Sequence, residues 1–220
     1  MGSDTKAGQT NYDDLYADIL LWLEKGWIDY VTPQLYWERG HKLADYDVLL
    51  KWWNEHGYGK HIYIGMGIYR AGTNEAWKNK NEIPNQIKEL RAYNTTQGSV
   101  YFNSKVFEND SLRNNYYYYP ALVPPMPWLN NDSPEQPTIE KSGNSIALTY
   151  TGKLQIKGFG IFVLPPDKEV KFINGQLVQV IITNKAATID LTNIPDSKDK
   201  RVYVATVDIN NNVSPLLELK

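Results

Sequence analysis

Three times before residue 110 the chain repeats one pattern: helix-spaced apolar residues, a glycine, then a run that alternates in character. The first run, residues 29–39, reads Asp-Tyr-Val-Thr-Pro-Gln-Leu-Tyr-Trp-Glu-Arg and breaks at Gly40. Val31 and Leu35 fall on one side, and Thr32, Gln34 and Tyr36 on the other, because strand side chains alternate between faces. Residues 61–69 set Ile62, Ile64, Met66 and Ile68 against Tyr63, Gly65, Gly67 and Tyr69. Residues 99–107 set Val100 and Phe102 against Tyr101 and Asn103. Three strands thus carry an aliphatic face suited to covering helices. Their polar, aromatic or glycine face suits a barrel interior that opens into a ligand site at the strand ends.

Helices are expected between these strands. Residues 12–25 carry an apolar stripe of Leu15, Ile19, Trp22 and Leu23, with Asp13 and Asp14 in the first turn and Gly26 as the stop. Residues 45–56 turn Val48, Leu49, Trp52 and Trp53 inward and stop at Gly57. Residues 82–93 align Ile83, Ile87 and Leu90, with Pro84 tolerated in the first turn. A polar loop, 71–81, is long enough to cover a site. A short helix is expected over 111–119.

After residue 120 the period changes. A Pro-rich passage holds Pro124, Pro125, Pro127, Pro134 and Pro137. Short alternating runs follow at 138–141, 145–150, 158–164, 171–174, 177–183, 188–192, 201–208 and 214–219, which is the pattern of an antiparallel sandwich. Asn210, Asn211 and Asn212 suit a final hairpin, since Asn tolerates positive φ. The division expected is a leader at 1–11, a barrel portion at 12–125, a linker at 126–137 and a sandwich at 138–220.

Composition narrows the function. Hydrophobic residues at 42% and charged residues at 22% describe a globular chain. A net charge of -2 without a basic run argues against nucleic acid. The absence of cysteine excludes thiolate metal sites, and His41, His56 and His61 lack ligand spacing, so neither a metal nor another cofactor is expected. No run reaches the length of a membrane span, and no signal peptide is visible. The bias toward 16 Tyr and 7 Trp suits sugar rings, although large cores use aromatics too.

Several motifs point to one family. They are Gly26-Trp27-Ile28-Asp29-Tyr30-Val31-Thr32-Pro33-Gln34-Leu35-Tyr36-Trp37, Tyr46-Asp47 followed by Trp52-Trp53, Tyr63-Ile64-Gly65, Ile83-Pro84-Asn85-Gln86-Ile87, and Pro120-Ala121-Leu122-Val123-Pro124-Pro125. In order and spacing this set resembles the glycosyl-hydrolase-like family 10, a bacterial TIM-barrel group, over about residues 12–128. The resemblance implies that the three βα units are the last part of a (β/α)8 barrel, strands six to eight. It also implies that a fibronectin type III-like domain follows, with Leu191, Ile194, Pro195 and Tyr203 at its corner, and that the protein is secreted, periplasmic or on the cell surface. A whole barrel needs about 250 residues and eight strands. The chain therefore reads as an excised fragment rather than a shortened natural form, with unpaired strand edges that favour self-association.

Glycoside hydrolysis needs two carboxylates across one bond, about 5–9 Å apart. Glu38 lies just beyond the first strand and is the catalytic candidate; a solvated loop residue is the plain alternative. Glu75, Glu82, Glu108 and Asp110 read more simply as solvated residues or helix caps. In the large retaining glycosidase clan with this barrel a nucleophilic glutamate ends the seventh strand, yet Gly65-Met66-Gly67-Ile68-Tyr69 offers none, which departs from that clan's usual mechanism. Gln34 and Asn103 carry both donors and acceptors for hydroxyls, and Tyr36, Trp37 and Tyr69 can stack on pyranose rings. The same residues could instead fill the barrel top. The expectation is a piece of a carbohydrate-active hydrolase, inactive in isolation. The alternative is a non-catalytic module for carbohydrate binding or structural contacts.

Overall fold

The computed structural model describes residues 2–104, 110–171 and 175–219. The end of the third expected strand (105–107), Glu108, the Asp110 side chain and positions 172–174 lie outside this description. The chain divides into two compact units, Met1–Tyr116 and Tyr117–Lys220.

The first unit opens with α1, Ile19–Glu24, much shorter than the apolar stripe suggests. Tyr16 stands at φ 53, which no helix accommodates, so Asp13 and Asp14 lie in a turn before it. Asp18 caps instead, its carboxylate accepting from the Leu21 amide at 3.0 Å. The stop falls where expected. Gly26 at φ +66 donates to the Leu23 carbonyl, and the Trp27 amide donates to the Trp22 carbonyl at 2.8 Å, which is a Schellman closure.

The first expected strand forms as two pieces, β1 (Tyr30–Val31) and β2 (Gln34–Leu35). Both pair parallel with β3 (His61–Met66) in one unbroken register, Tyr30 opposite His61 and Gln34 opposite Gly65. The interruption falls at Thr32-Pro33, and proline cannot donate to a ladder. Just past the break Gly65 is required: a Cβ there would lie 2.9 Å from the Pro33 carbonyl, which accepts from the Gly65 amide. β4 (Thr96–Tyr101) pairs parallel with the other edge of β3. Between the strands run α2 (Tyr46–Glu55), which packs on β2 and β3, and α3 (Glu82–Arg91), which packs on β4 and α2. The order is that of consecutive βα units.

The α2 stripe is rotated from the expected one. Tyr46, Leu49, Leu50 and Trp53 are buried at i, i+3, i+4 and i+7, and Val48 is exposed. Ile83, Ile87 and Leu90 of α3 face the core as their spacing requires. Ile62, Ile64 and Met66 are fully buried, so truncating any one to alanine is worth about 2–5 kcal/mol. Ile68 is buried too, but in the 3₁₀ turn Ile68–Arg70 rather than in the strand. The third strand reverses an expectation. Its register slips between Ile62 and Tyr63, beside Gly98, and then sets Val100 opposite Gly65 and Tyr101 opposite Met66. Val100 and Phe102 therefore lie on the aromatic and glycine face, and are 50% and 53% exposed. α4, Asp110–Tyr116, closes the unit.

The second unit is antiparallel. One sheet orders β11 (Leu217–Glu218), β10 (Arg201–Asp208), β7 (Ile156–Leu164) and β8 (Gln176–Ile182). The other orders β5 (Thr138–Ser142), β6 (Ser145–Thr149) and β9 (Ala186–Asp190). An apolar cluster joins the sheets, with Ile146, Leu148 and Ile189 from one and Phe159, Ile161, Val202 and Val204 from the other. The expected run over 214–219 shortens to Leu217–Glu218. Tyr203 is buried beside Phe162, Leu177 and Ala205, and Leu122 of the Pro-rich passage packs on the same group. The final hairpin forms around Asp208, whose carboxylate accepts from the amides of Asn210 and Asn212, with Asn211 at φ 69.

Candidate functional site

Parallel strands present ligand sites at their carboxyl ends, where the side chains leave the sheet. Here the residues just past the ends of β2, β3 and β4 are Tyr36, the Gly67–Arg70 turn and Phe102. The backbone joins them: the Phe102 amide donates to the Met66 carbonyl at 3.0 Å, and the Tyr69 amide donates to the Phe102 carbonyl. Three rings meet as a result. Tyr36 stacks on Phe102 at 6.0 Å between centroids, and Tyr69 stands edge-on to both, at 6.0 Å and 5.9 Å. Gly67 makes room for this, since a Cβ there would press on Tyr36 Cβ and Cγ at 3.1 Å. Tyr69 is 40% exposed, so the group presents ring surface to solvent.

Burial, and then the neighbouring Tyr69, push the Tyr36 phenol above its ordinary pKa. It stays protonated at physiological pH and can donate a hydrogen bond. Arg70 brings a cation to the group, its Cζ 5.6 Å from the Tyr69 ring centroid.

The other expected site residues fall around this cluster. Gln34 is exposed on the same face, one pleat back, beside Gly65. Asn103 follows Phe102 through a cis peptide and is half-buried. Trp37 stands apart from the trio: its ring lies 6.5 Å from that of His41, and its carbonyl accepts from Gln86. Glu38 is engaged structurally, its Oε2 accepting from the indole of Trp77 at 3.0 Å. Trp77 is 2% exposed, so this bond ties the 71–81 loop to the segment after β2. Glu82, expected to be solvated or a cap, is instead buried. Its carboxylate accepts from the Arg39 amide and from Gln86 Nε2, both at 2.9 Å. Glu82 and Gln86 thereby clamp residues 37–39 to the first turns of α3. Glu75 is exposed and lies 3.5 Å from Lys78.

Phe102 and the Glu82–Gln86 clamp are the features of the candidate site that strand alternation alone misses. A weak signal exists for the loop anchor: Trp77 is a lone large apolar residue in a polar stretch. Among the described residues no three His, Asp or Glu side chains converge as metal ligands would, and no helix is long and apolar enough to cross a membrane.

The chain is similar in sequence to known glycosyl hydrolases. The chain is 41% identical over 162 residues to glycosyl hydrolase YngK of Bacillus subtilis (strain 168), covering 67% of the chain and 32% of that protein. It is 38% identical over 96 residues to glycosyl hydrolase DigH of Escherichia coli (strain K12), covering 41% of the chain and 22% of that protein. The chain thus spans about a third or less of the length of these relatives. Among solved structures, OgpA from Akkermansia muciniphila aligns over 78% of this chain and 68% of its own, at 10% identity and a TM-score of 0.33. Residues 3–84, which include α1, α2, β1 to β3, Glu38 and the Tyr36 and Tyr69 rings, match the model of the family described as Glycosyl hydrolase-like 10.

Proposed function

We propose that the chain belongs to the glycosyl hydrolase-like 10 family and that its first unit contributes the last βα units of a saccharide-binding barrel. One observation carries this reading. Tyr36, Tyr69 and Phe102 cluster at the carboxyl ends of three neighbouring parallel strands, with the Tyr69 and Phe102 rings partly exposed. Flat apolar ring faces beside hydroxyl-binding groups suit a pyranose, whose C–H face is apolar and whose rim is polar. Gln34, Asn103 and the neutral Tyr36 hydroxyl supply the polar contacts. Trp37 buttresses the segment that carries Tyr36.

Glu38 is the carboxylate we assign to catalysis in the whole protein. Its Oε2 is held by Trp77, which fixes the orientation a general acid or base needs. Hydrolysis requires a second carboxylate. The 220-residue chain therefore binds saccharide without turning it over. The second unit is read as a fibronectin type III-like sandwich.

The test is isothermal titration of the chain with a panel of neutral oligosaccharides, alongside a hydrolysis assay. Saturable binding weakened about tenfold on Phe102→Ala, without turnover, supports the reading; no binding by the wild type overturns it. A second reading has its own observation. A cleft of about 780 Å³ in the second unit is walled by Val123, Pro124, Phe162 and Leu177 and edged by Asn131 and Asn212. Binding that survives Phe102→Ala and is lost on Asn131→Ala places recognition there.

A further inference from the structure

Arg70 brings a cation to the ring cluster, with its Cζ 5.6 Å from the Tyr69 ring centroid. Among the described residues the buried Nε of its guanidinium has no hydrogen-bond acceptor, and no carboxylate pairs with the group. Buried donors are ordinarily completed by an acceptor. Two carboxylates near the strand ends are engaged elsewhere: Glu38 with Trp77, and Glu82 with the Arg39 amide and Gln86. Arg39, by contrast, is paired with Asp47 through its Nε at 2.9 Å. The guanidinium is held against the Tyr69 ring, and its charge is left without a carboxylate partner among the described residues.

We propose that Arg70 is a specificity-determining residue that receives an anionic group of the bound saccharide, in the first instance the carboxylate of a uronic-acid-type sugar. The inference rests on the saccharide-binding reading and names the class of sugar it takes. A planar guanidinium accepts a carboxylate through two parallel N–H donors, and the pyranose ring of the same sugar reaches the exposed faces of Tyr69 and Phe102. A sulfate ester shares the charge but not the planar fork. Carboxylated sugar is therefore expected to bind better than sulfated sugar at equal charge.

The experiment uses the full chain, a uronic acid tetrasaccharide, its carboxyl-reduced neutral counterpart and a sulfated tetrasaccharide, titrated calorimetrically. The uronate is expected to bind about tenfold more tightly than the reduced form. That preference is expected to shrink as salt rises from about 50 to about 300 mM, because the charge of a partly exposed pair is screened. Arg70→Gln is expected to erase the preference for uronate over the reduced sugar, and Arg70→Lys to keep part of it. The salt response of the wild type decides the matter even if Arg70→Gln does not fold. Equal affinity for uronate and reduced sugar, or a preference that survives Arg70→Gln, overturns the proposal and leaves saccharide binding standing. A preference for the sulfated sugar overturns the carboxylate assignment. Binding of none of the three overturns both readings.

Discussion

Removing the Glu38 carboxylate separates what that residue does for the fold from the catalytic role proposed for it. Its Oε2 accepts from the indole of Trp77, 2% exposed, across 39 positions of sequence. Glu38→Ala leaves a buried N–H without an acceptor. A hydrogen bond to a charged group is worth about 1.5–3 kcal/mol, and an orphaned buried donor costs about 1–3 kcal/mol, so the expected loss is about 2 kcal/mol. Glu38→Gln keeps an acceptor oxygen but not the charge. Because charge-assisted bonds are about twice as strong as neutral ones, its expected cost is about 1 kcal/mol. In urea, with a slope of about 1–2 kcal/mol/M, the alanine variant's midpoint falls by about 1–2 M. Tryptophan emission reports the relevant transition, since Trp128 is the only tryptophan outside the first unit. Trp77→Phe removes the donor, and in that background the cost of Glu38→Ala falls below about 0.5 kcal/mol. An alanine variant within about 0.5 kcal/mol of wild type, or a cost undiminished beside Trp77→Phe, refutes the latch. The same ordering matters for activity. Glu38→Ala frees the loop as well as removing the carboxylate proposed to be catalytic, so Glu38→Gln is the cleaner probe of that proposal in a whole protein.

Other outcomes follow from the same geometry. Phe102→Ala, at a ring 53% exposed, costs about 1 kcal/mol or less of stability but weakens saccharide binding about tenfold by titration. Gly158→Ala drives a Cβ to 1.9 Å from the Ile181 carbonyl oxygen inside the β7–β8 pairing, and destabilises the second unit by about 3 kcal/mol in thermal melts followed by circular dichroism. The hydrogen bond from the Tyr150 hydroxyl holds the Glu135 carboxyl below its ordinary pKa. A depressed folded-state pKa stabilises above the unfolded value and is lost as pH falls through the folded one. Melting temperature measured from neutral to acid pH therefore drops further in wild type than in Tyr150→Phe.

The elements that the sequence pattern locates well are those set by local chemistry. Gly26 stops α1 because only a residue at ease with positive φ closes the Schellman turn, and the run 201–208 is a strand over the bounds its alternation marks. Elements set by tertiary register are harder to read. The face that Val100 and Phe102 occupy depends on a slip beside Gly98, and a one-residue slip exchanges the two faces of a strand. For that reason Phe102, a third of the ring cluster, reads as a core residue in the sequence, while Tyr36 and Tyr69 read as site residues. The start of α1 is hidden in another way: Leu15 fits the stripe, but the positive φ of Tyr16 leaves it outside the helix. The latch between Glu38 and Trp77 and the clamp from Glu82 and Gln86 to residues 37–39 join positions some 40 to 50 apart. No spacing rule reaches that far.

The most direct test of the account is nuclear magnetic resonance of the chain with Tyr and Phe rings isotopically labelled, titrated with the tightest-binding oligosaccharide. Ring shifts confined to Tyr36, Tyr69 and Phe102, with the Gly67 amide moving alongside, are the predicted result. Shifts confined to Phe162 and the amides around Asn131 and Asn212 contradict it and move recognition to the second unit.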